Sequence, residues 1–360
     1  MPEITTPPPR RRSRVAIEAV DGDVQGAVER ALDAVDWTRQ IPVGADVSLK
    51  VNLGWDLFIP GSITSPMVTE AAIRAIRGRV GKIYVVEADQ VLEDIESAFV
   101  RSGTKAVCDR TGARWVNMTR APTVTIDRPD NKVLRRIEIP EILQHTRRIT
   151  LPVMKTHAKT GLSGAIKNQW GCLPTMRHEY HLVLDDALAE LTEIVRPDLS
   201  LMDATVALEG NGPKNGHPVI ADRILASCDP VALDTVQAVQ MGLDPRSVTH
   251  LQRCAERGLG NHDLDLIDVL GLDPHDTALK FKPARHNAVS RVETILRGSM
   301  MKRLFFNTPI FTGCLLGAKA YYRAWTLFRA RRAWDEVRRH PLYGAQWQRE
   351  WRGLTGGNDK

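Results

Sequence analysis

The stretch Leu151–Cys172, LPVMKTHAKTGLSGAIKNQWGC, decides how the chain is read. A short apolar run from Ile149 to Met154 reads as a buried strand end. It leads directly into Lys155, Thr156 and His157, then Gly161, Ser163 and Gly164, then Lys167, Asn168 and Gly171. Polar groups of different chemistry gather where a strand hands over to a loop, the usual place for ligands in α/β proteins. Two lysines and a histidine there can hold an anion, and one of them, if desolvated, can move a proton. The plain alternative is a surface loop with solvated lysines. The clustering beside glycines, which permit close backbone approach, favours a site.

Toward the N-terminus, Val15–Val20 reads as a strand and Val24–Val35 as an amphipathic helix. Asp46–Leu53 reads as a buried strand with Lys50 and Asn52 near its carboxyl end. Ser65 followed by Pro66 starts a helix that runs to about Arg77, where Gly78 stops it. The strand Lys82–Ala88 delivers Glu87 and Asp89 to one face. These carboxylates can bind a metal or a hydroxyl-bearing ligand, or cap the next helix. Helices over Glu93–Arg101 and Thr104–Arg110 and strands over Ala113–Met118 and Val133–Ile139 follow.

Toward the C-terminus, His181 precedes a helix over Leu182–Val195. A strand, Leu199–Met202, carries Asp203 at its carboxyl end. Glu209, Gly210, Asn211 and Gly212 then form a second glycine-rich segment without the GK[ST] ending of a Walker loop. It reads as a turn or as a backbone nest for an oxyanion. Beyond a strand at Asp222–Ser227, Asp229-Pro230 opens a helix that Gly242 ends. Asp234 sits in mid-helix beside Leu233 and Val236, and is expected to be buried and paired. A helix over Pro245–Arg257 and a strand over Leu266–Leu270 complete the pattern. Alternating strands and helices imply an α/β fold around a mostly buried, mixed or parallel sheet. The expected organisation is a disordered basic arm (1–14), an α/β body (15–285) and a helical tail (286–360). The loop-rich stretch 150–220 is expected to form or cap a second, smaller lobe carrying the site.

The net charge of +6 is unevenly placed. Residues 1–14 carry +3 and residues 300–360 carry +8, which leaves −5 for the body. A basic nucleic-acid groove in the body is therefore not expected. Five cysteines without a CxxC pair fit neither a disulfide framework nor an in-chain iron–sulfur motif, and suit a reducing cytoplasm. No apolar segment follows the N-terminal arginines, so they are not read as a signal peptide.

In the tail, Leu304–Ala318 is apolar but shorter than the roughly 20 residues of a spanning helix, and Asn307, Pro309 and Gly313 interrupt it. Tyr321, Tyr322, Trp325, Phe328, Trp334, Tyr343, Trp347 and Trp351 follow, interleaved with arginines. Rings and cations together suit a headgroup region. The tail, over about 300–352, is therefore expected to hold the protein peripherally on an anionic membrane, on its cytoplasmic face. The alternative is that its rings pack onto the body.

The segments MKTH, GLSGAIKNQWG, LMDATVALEGNGPKNG and ASCDPVALDTV occur here in this order. In these the chain resembles the domain-of-unknown-function 362 family, from about Lys50 to Gly271. Some members carry ferredoxin-type clusters on an added domain; the cysteines for one are lacking here. The resemblance implies a fold region and a candidate site, and no particular reaction.

The expected function is an enzyme acting on a small carboxylate- or phosphate-bearing anion. Lys155, His157 and Lys167 would be catalytic, with Lys50, Asn52, Asn168, Gly210 and Gly212 binding the substrate. Glu87, Asp203 and Glu209 would supply carboxylate chemistry or metal ligands, and Asp89 and Asp234 are further site candidates. His157, His181, Asp203 and Glu209 admit a divalent metal. Proton transfer, isomerisation and redox chemistry remain open, as do cofactor and oligomeric state. The rivals are a non-catalytic binding module at the membrane surface and an accessory redox protein working with an iron–sulfur or flavin partner.

Overall fold

The structure, a computed structural model, describes residues 12–54, 59–89, 94–174, 180, 182–212, 215–284, 317, 324–325 and 331–348. The first half contains β1 (Ser13–Ala19), α1 (Val24–Ala34), β2 (Val47–Lys50), α2 (Pro66–Arg77), β3 (Ile83–Glu87), α3 (Ile95–Arg101), α4 (Thr104–Thr111) and β4 (Arg114–Asn117). Then come β5 (Thr123–Asp127), β6 (Arg136–Pro140), α5 (Ile142–His145), β7 (Arg147–Thr150), β8 (Val153–His157), β9 (Gly161–Ser163), α6 (Ala165–Asn168) and α7 (Leu184–Val195). The last elements are β10 (Leu199–Asn211), β11 (Asn215–Ser227), α8 (Pro230–Gln240), α9 (Thr249–Glu256), β12 (Ile267–Gly271) and α10 (Arg331–Arg339).

One mixed sheet of ten strands organises the chain, in the order β12-β1-β11-β10-β7-β2-β3-β4, with β8 and β9 branching from β10. Along that path every neighbouring pair is parallel except the two made by β11. The parallel strands therefore bring their carboxyl ends to a common edge. Lys50, Glu87, Asn117 and Thr150 all end strands there. The strands are buried on both faces, so β2 reads as an unbroken buried run.

Alternation in β1 sorts the core into two layers. Ala16 packs with Val28 and Leu32 of α1, Ile73 and Ile76 of α2 and Trp334 of α10. Val15 and Ile17 face the other way, toward Leu188 of α7, Val236 of α8 and Leu251 of α9. Side chains cap these helices as their sequences imply. Asp23 accepts from the Gly26 amide, Ser65 from Met67, and Asp229 from Val231 and Ala232.

The sequence differs from the structure most in the second half. The strand expected to stop at Met202 continues to Asn211 and pairs with β11 down to Asn211 opposite Asn215. Ala204–Leu208 is an apolar, fully buried run, and burial on both faces carries the strand onward. Glu209 and Gly210 thus lie in a hairpin arm, and residues 150–220 add strands to the main sheet. A second, two-stranded sheet pairs β5 with β6. The helix expected from Pro245 starts at Thr249, after a 3-10 turn over Pro245–Ser247.

Part of the tail packs on the body. Trp334, Val337, Tyr343 and Trp347 are buried in the layer that holds α1 and α2. The Tyr343 hydroxyl donates to Asp222, and Ser65 Oγ donates to Gln346 Oε1 at 2.5 Å. These three rings cover the body because α10 and the turn after it present them inward. Leu304–Ala318, apart from Gly317, lies outside the described residues, as do Tyr321, Tyr322, Phe328 and Trp351. No helix among the described residues is long and apolar enough to cross a membrane.

Candidate active site

At the carboxyl edge β2 and β3 pair so that Lys50 stands opposite Val86. Glu87, the next residue, therefore reaches Lys50, whose ammonium donates to its carboxylate at 2.7 Å and to the Val51 carbonyl at 2.9 Å. Both side chains are almost fully buried, 4% and 2% exposed. Glu87 also accepts from the amides of Leu53 at 3.2 Å and Ala88 at 2.9 Å, so its charge is well satisfied. Gly171 closes over the pair. A Cβ there would lie 2.5 Å from Glu87 Oε1 and 2.6 Å from Lys50 Nζ.

Lys155 enters from β8 and is 3% exposed. Its ammonium donates to Asn52 Oδ1 at 2.9 Å and to the Ser62 carbonyl at 2.8 Å. Neither acceptor is charged. Burial lowers its pKa to about 7; Glu87 opposes this and Lys50 adds to it. The Asn52 amide nitrogen donates to Asn168 Oδ1 at 2.9 Å. Asn168 Nδ2 donates in turn to Thr150 Oγ1 at 2.8 Å and to the Lys50 carbonyl at 3.2 Å. Each amide is thereby fixed in one orientation. Thr64 Oγ1 holds the Asn52 backbone amide at 2.8 Å while donating to the Leu151 carbonyl. Lys50, Asn52, Glu87, Lys155 and Asn168 thus form one buried polar cluster, with Asn52 its half-exposed member.

Three further acids lie around it. Asp203 accepts from the Ser65 amide at 2.7 Å and from the amide and hydroxyl of Thr205, and burial raises its pKa. Asp234 is buried, as its apolar neighbours imply. It accepts from the amides of Ala165 at 2.6 Å and Ile166 at 2.9 Å, capping the turn that carries Lys167 and Asn168. Its pKa is raised to about 7 by burial, against the pull of those two amides. Asp89 accepts from the Ile95 amide at 3.2 Å, the capping role weighed for it in the sequence.

Other candidates are turned elsewhere. His157 Nδ1 meets the Lys159 amide at 3.1 Å and the Thr160 hydroxyl at 3.0 Å, within its own hairpin. Lys167 lies over the Trp170 ring at 5.6 Å. Both are half-buried. Glu209 is taken by Lys282, through its amide at 2.8 Å and its ammonium at 2.9 Å. Gly210 and Gly212 seat the hairpin end against β8, where Thr156 Oγ1 donates to the Gly210 carbonyl at 2.8 Å. His181 lies outside the described residues. Among those described, no group of three or more His, Cys, Asp or Glu side chains is placed to hold a metal ion. Asp203 and Glu209 have separate partners.

Sequence reasoning missed Ser62, Thr64 and Thr150 as parts of this site. Ser62 and Thr64 enter the Ser65-Pro66 helix start, a local signal that could have flagged them. Thr150 stands opposite Lys50 in the sheet register, which only the fold supplies.

Comparison with known proteins adds three findings. A thylakoid-associated protein of Synechocystis sp. is 34% identical over 119 residues, which are 31% of this chain and 37% of that protein. The solved lactate racemase apoprotein of Thermoanaerobacterium thermosaccharolyticum shares 12% identity at a TM-score of 0.36, over 70% of this chain and 58% of that one. The third match runs from β2 through most of α8 and takes in every member of the polar cluster: residues 47–239 fit the family described as "Domain of unknown function (DUF362)", to which this chain belongs.

Proposed function

We propose that the protein is an enzyme that moves a proton on a small carboxylate- or phosphate-bearing substrate, with Lys155 as the acid–base group. The observation that carries this reading is a buried lysine with a pKa lowered to about 7, held by neutral acceptors alone. A lysine of that pKa exists as amine and ammonium in comparable amounts at neutral pH. The amine can accept a proton from the substrate, and Asn52 Oδ1 and the Ser62 carbonyl then hold the ammonium. Asn52 is the least buried member of the cluster, and a ligand would approach from its side. Lys167 and His157 would supply attraction for the anion. The Lys50–Glu87 pair is neutral as a unit and would fix the strand ends rather than react.

The test is solvent exchange. Small carboxylates and phosphate esters are incubated with the protein in deuterated water and followed by NMR. Deuterium uptake into one of them that vanishes in Lys155→Met, with the fold intact by circular dichroism, supports the reading. Uptake that persists in Lys155→Met removes Lys155 from the chemistry.

We also propose a peripheral membrane location. The thylakoid association of the relative and the basic, aromatic sequence of the tail support it. Because Trp334, Tyr343 and Trp347 belong to the core, cutting the chain near Gly298 would damage the body. The informative variant instead replaces the apolar residues of 304–318 with polar ones. Equal flotation of this variant and the parent chain with anionic liposomes would exclude that stretch as the anchor.

A further inference from the structure

A cavity lies at the other end of the sheet, where β1 and β12 begin and β11 ends. It measures about 710 Å³. Arg12, Arg14, Arg39 and Arg196 line it together with Asp36, Asp229 and Asp268. The body around them is net acidic, so four arginines on one cavity are a local reversal of charge.

Their pairing leaves positive charge over. Arg12 is matched by Asp268 at 2.7 Å. Arg14 and Arg39 share a single carboxylate, Asp36, at 2.8 and 3.7 Å. Asp229 also lines the cavity, but its carboxylate is taken up by other partners. It accepts from the amides of Val231, Ala232 and Asn261 and from the Ser13 hydroxyl. Arg196, half-buried at the end of α7, has no carboxylate partner among the described residues. Arg14 on β1, Arg39 on the turn after α1 and Arg196 thus reach one space from three elements.

We propose that this cavity is a second ligand site, which takes a phosphate-bearing small molecule. One guanidinium satisfies a carboxylate through its planar fork, whereas three from different elements suit a tetrahedral dianion with oxygens in several directions. The volume lies in the range of small-molecule sites and exceeds what a bare phosphate needs, so an organic phosphate fits the space better. Val35 and Leu259 supply apolar wall for the rest of such a ligand.

The experiment is calorimetric titration of the full-length protein with inorganic pyrophosphate at constant ionic strength. Saturable binding is expected, weakened at least about tenfold in Arg196→Ala and in Arg39→Ala, the scale of one charge-assisted contact. Arg39 is 72% exposed, so its removal does not threaten the fold. Arg74→Ala, on the surface of α2, should leave binding unchanged, as should Lys155→Met, which separates this site from the one at the carboxyl edge. The proposal is overturned by an absence of saturable binding, by unaltered affinity in both cavity variants, or by loss of binding in Lys155→Met. Equal affinity for succinate would overturn the assignment to phosphate.

Discussion

Asp234 Oδ1 accepts from the Ala165 amide at 2.6 Å, so a carboxylate in the middle of α8 caps the first turn of α6. Gly164 makes room for it, since a Cβ there would lie 2.5 Å from Asp234 Cγ. Asp234→Ala leaves two buried amides without an acceptor and should destabilise the protein by about 3 kcal/mol, measured by urea unfolding. The pH dependence has a definite sign. The folded pKa is raised to about 7 from 3.8, so the folded state holds the proton more tightly. This contribution is fully present below pH 3.8 and is lost as pH rises through 7. Asp234→Asn should remove that part of the pH profile, as seen in its difference from the parent chain.

Lys155 shows the opposite slope. Its folded pKa is lowered to about 7 from 10.5, so the unfolded state binds the proton more tightly between those values. Stability from this group is present above 10.5 and lost as pH falls through 7. In Lys155→Met the stability profile between pH 7 and 10.5 should be flatter than in the parent. In a nitrogen-15 NMR titration, one lysine side-chain signal should move near pH 7 and disappear in this variant. Absence of any lysine titration in that region would contradict the assigned environment.

Removing one half of the Lys50–Glu87 pair should cost more than removing both. Glu87→Gln leaves a buried ammonium opposite a neutral amide, and a loss of about 3–5 kcal/mol is expected by chemical denaturation. The double change Lys50→Met with Glu87→Gln should recover part of that loss. If the single and double variants are equally unstable, the two charges are not coupled.

Trp334 tests the docking of the tail. It is 2% exposed, and truncation to Ala should cost about 3–5 kcal/mol if the α10 segment is part of the cooperative unit. Tyr343→Phe keeps the ring and removes only the hydroxyl donated to Asp222, so a smaller loss is expected. A melting temperature unchanged in Trp334→Ala would mean that this segment unfolds independently of the body.

Much of the fold could be read from local signals. Ser65-Pro66 and Asp229-Pro230 start helices in the sequence and in the structure, because capping needs only residues a few positions apart. Lys50, Asn52, Lys155 and Asn168 could be singled out because each sits near a strand end or a glycine. Their bonding could not, since Lys50 meets Glu87 only through the register of β2 on β3. β5 was passed over: its Thr-Val-Thr-Ile-Asp alternation is half solvent-facing and pairs only with β6. The tail shows the limit of composition, since an aromatic face reads alike whether lipid or protein covers it.

The position of β1 bears on how the chain is made. It is translated before the other described strands, yet it lies between β12 and β11, which follow about two hundred residues or more downstream. The parallel group β2, β3, β4 and β7 has its partners within about a hundred residues and can assemble while synthesis continues. Contacts of such long sequence separation form slowly. β1 must therefore wait, unpaired, on a ribosome-bound nascent chain. A chaperone that shields strand edges should act on this protein through residues 13–19, and crosslinking from that segment in stalled chains should cease once β12 has left the exit tunnel.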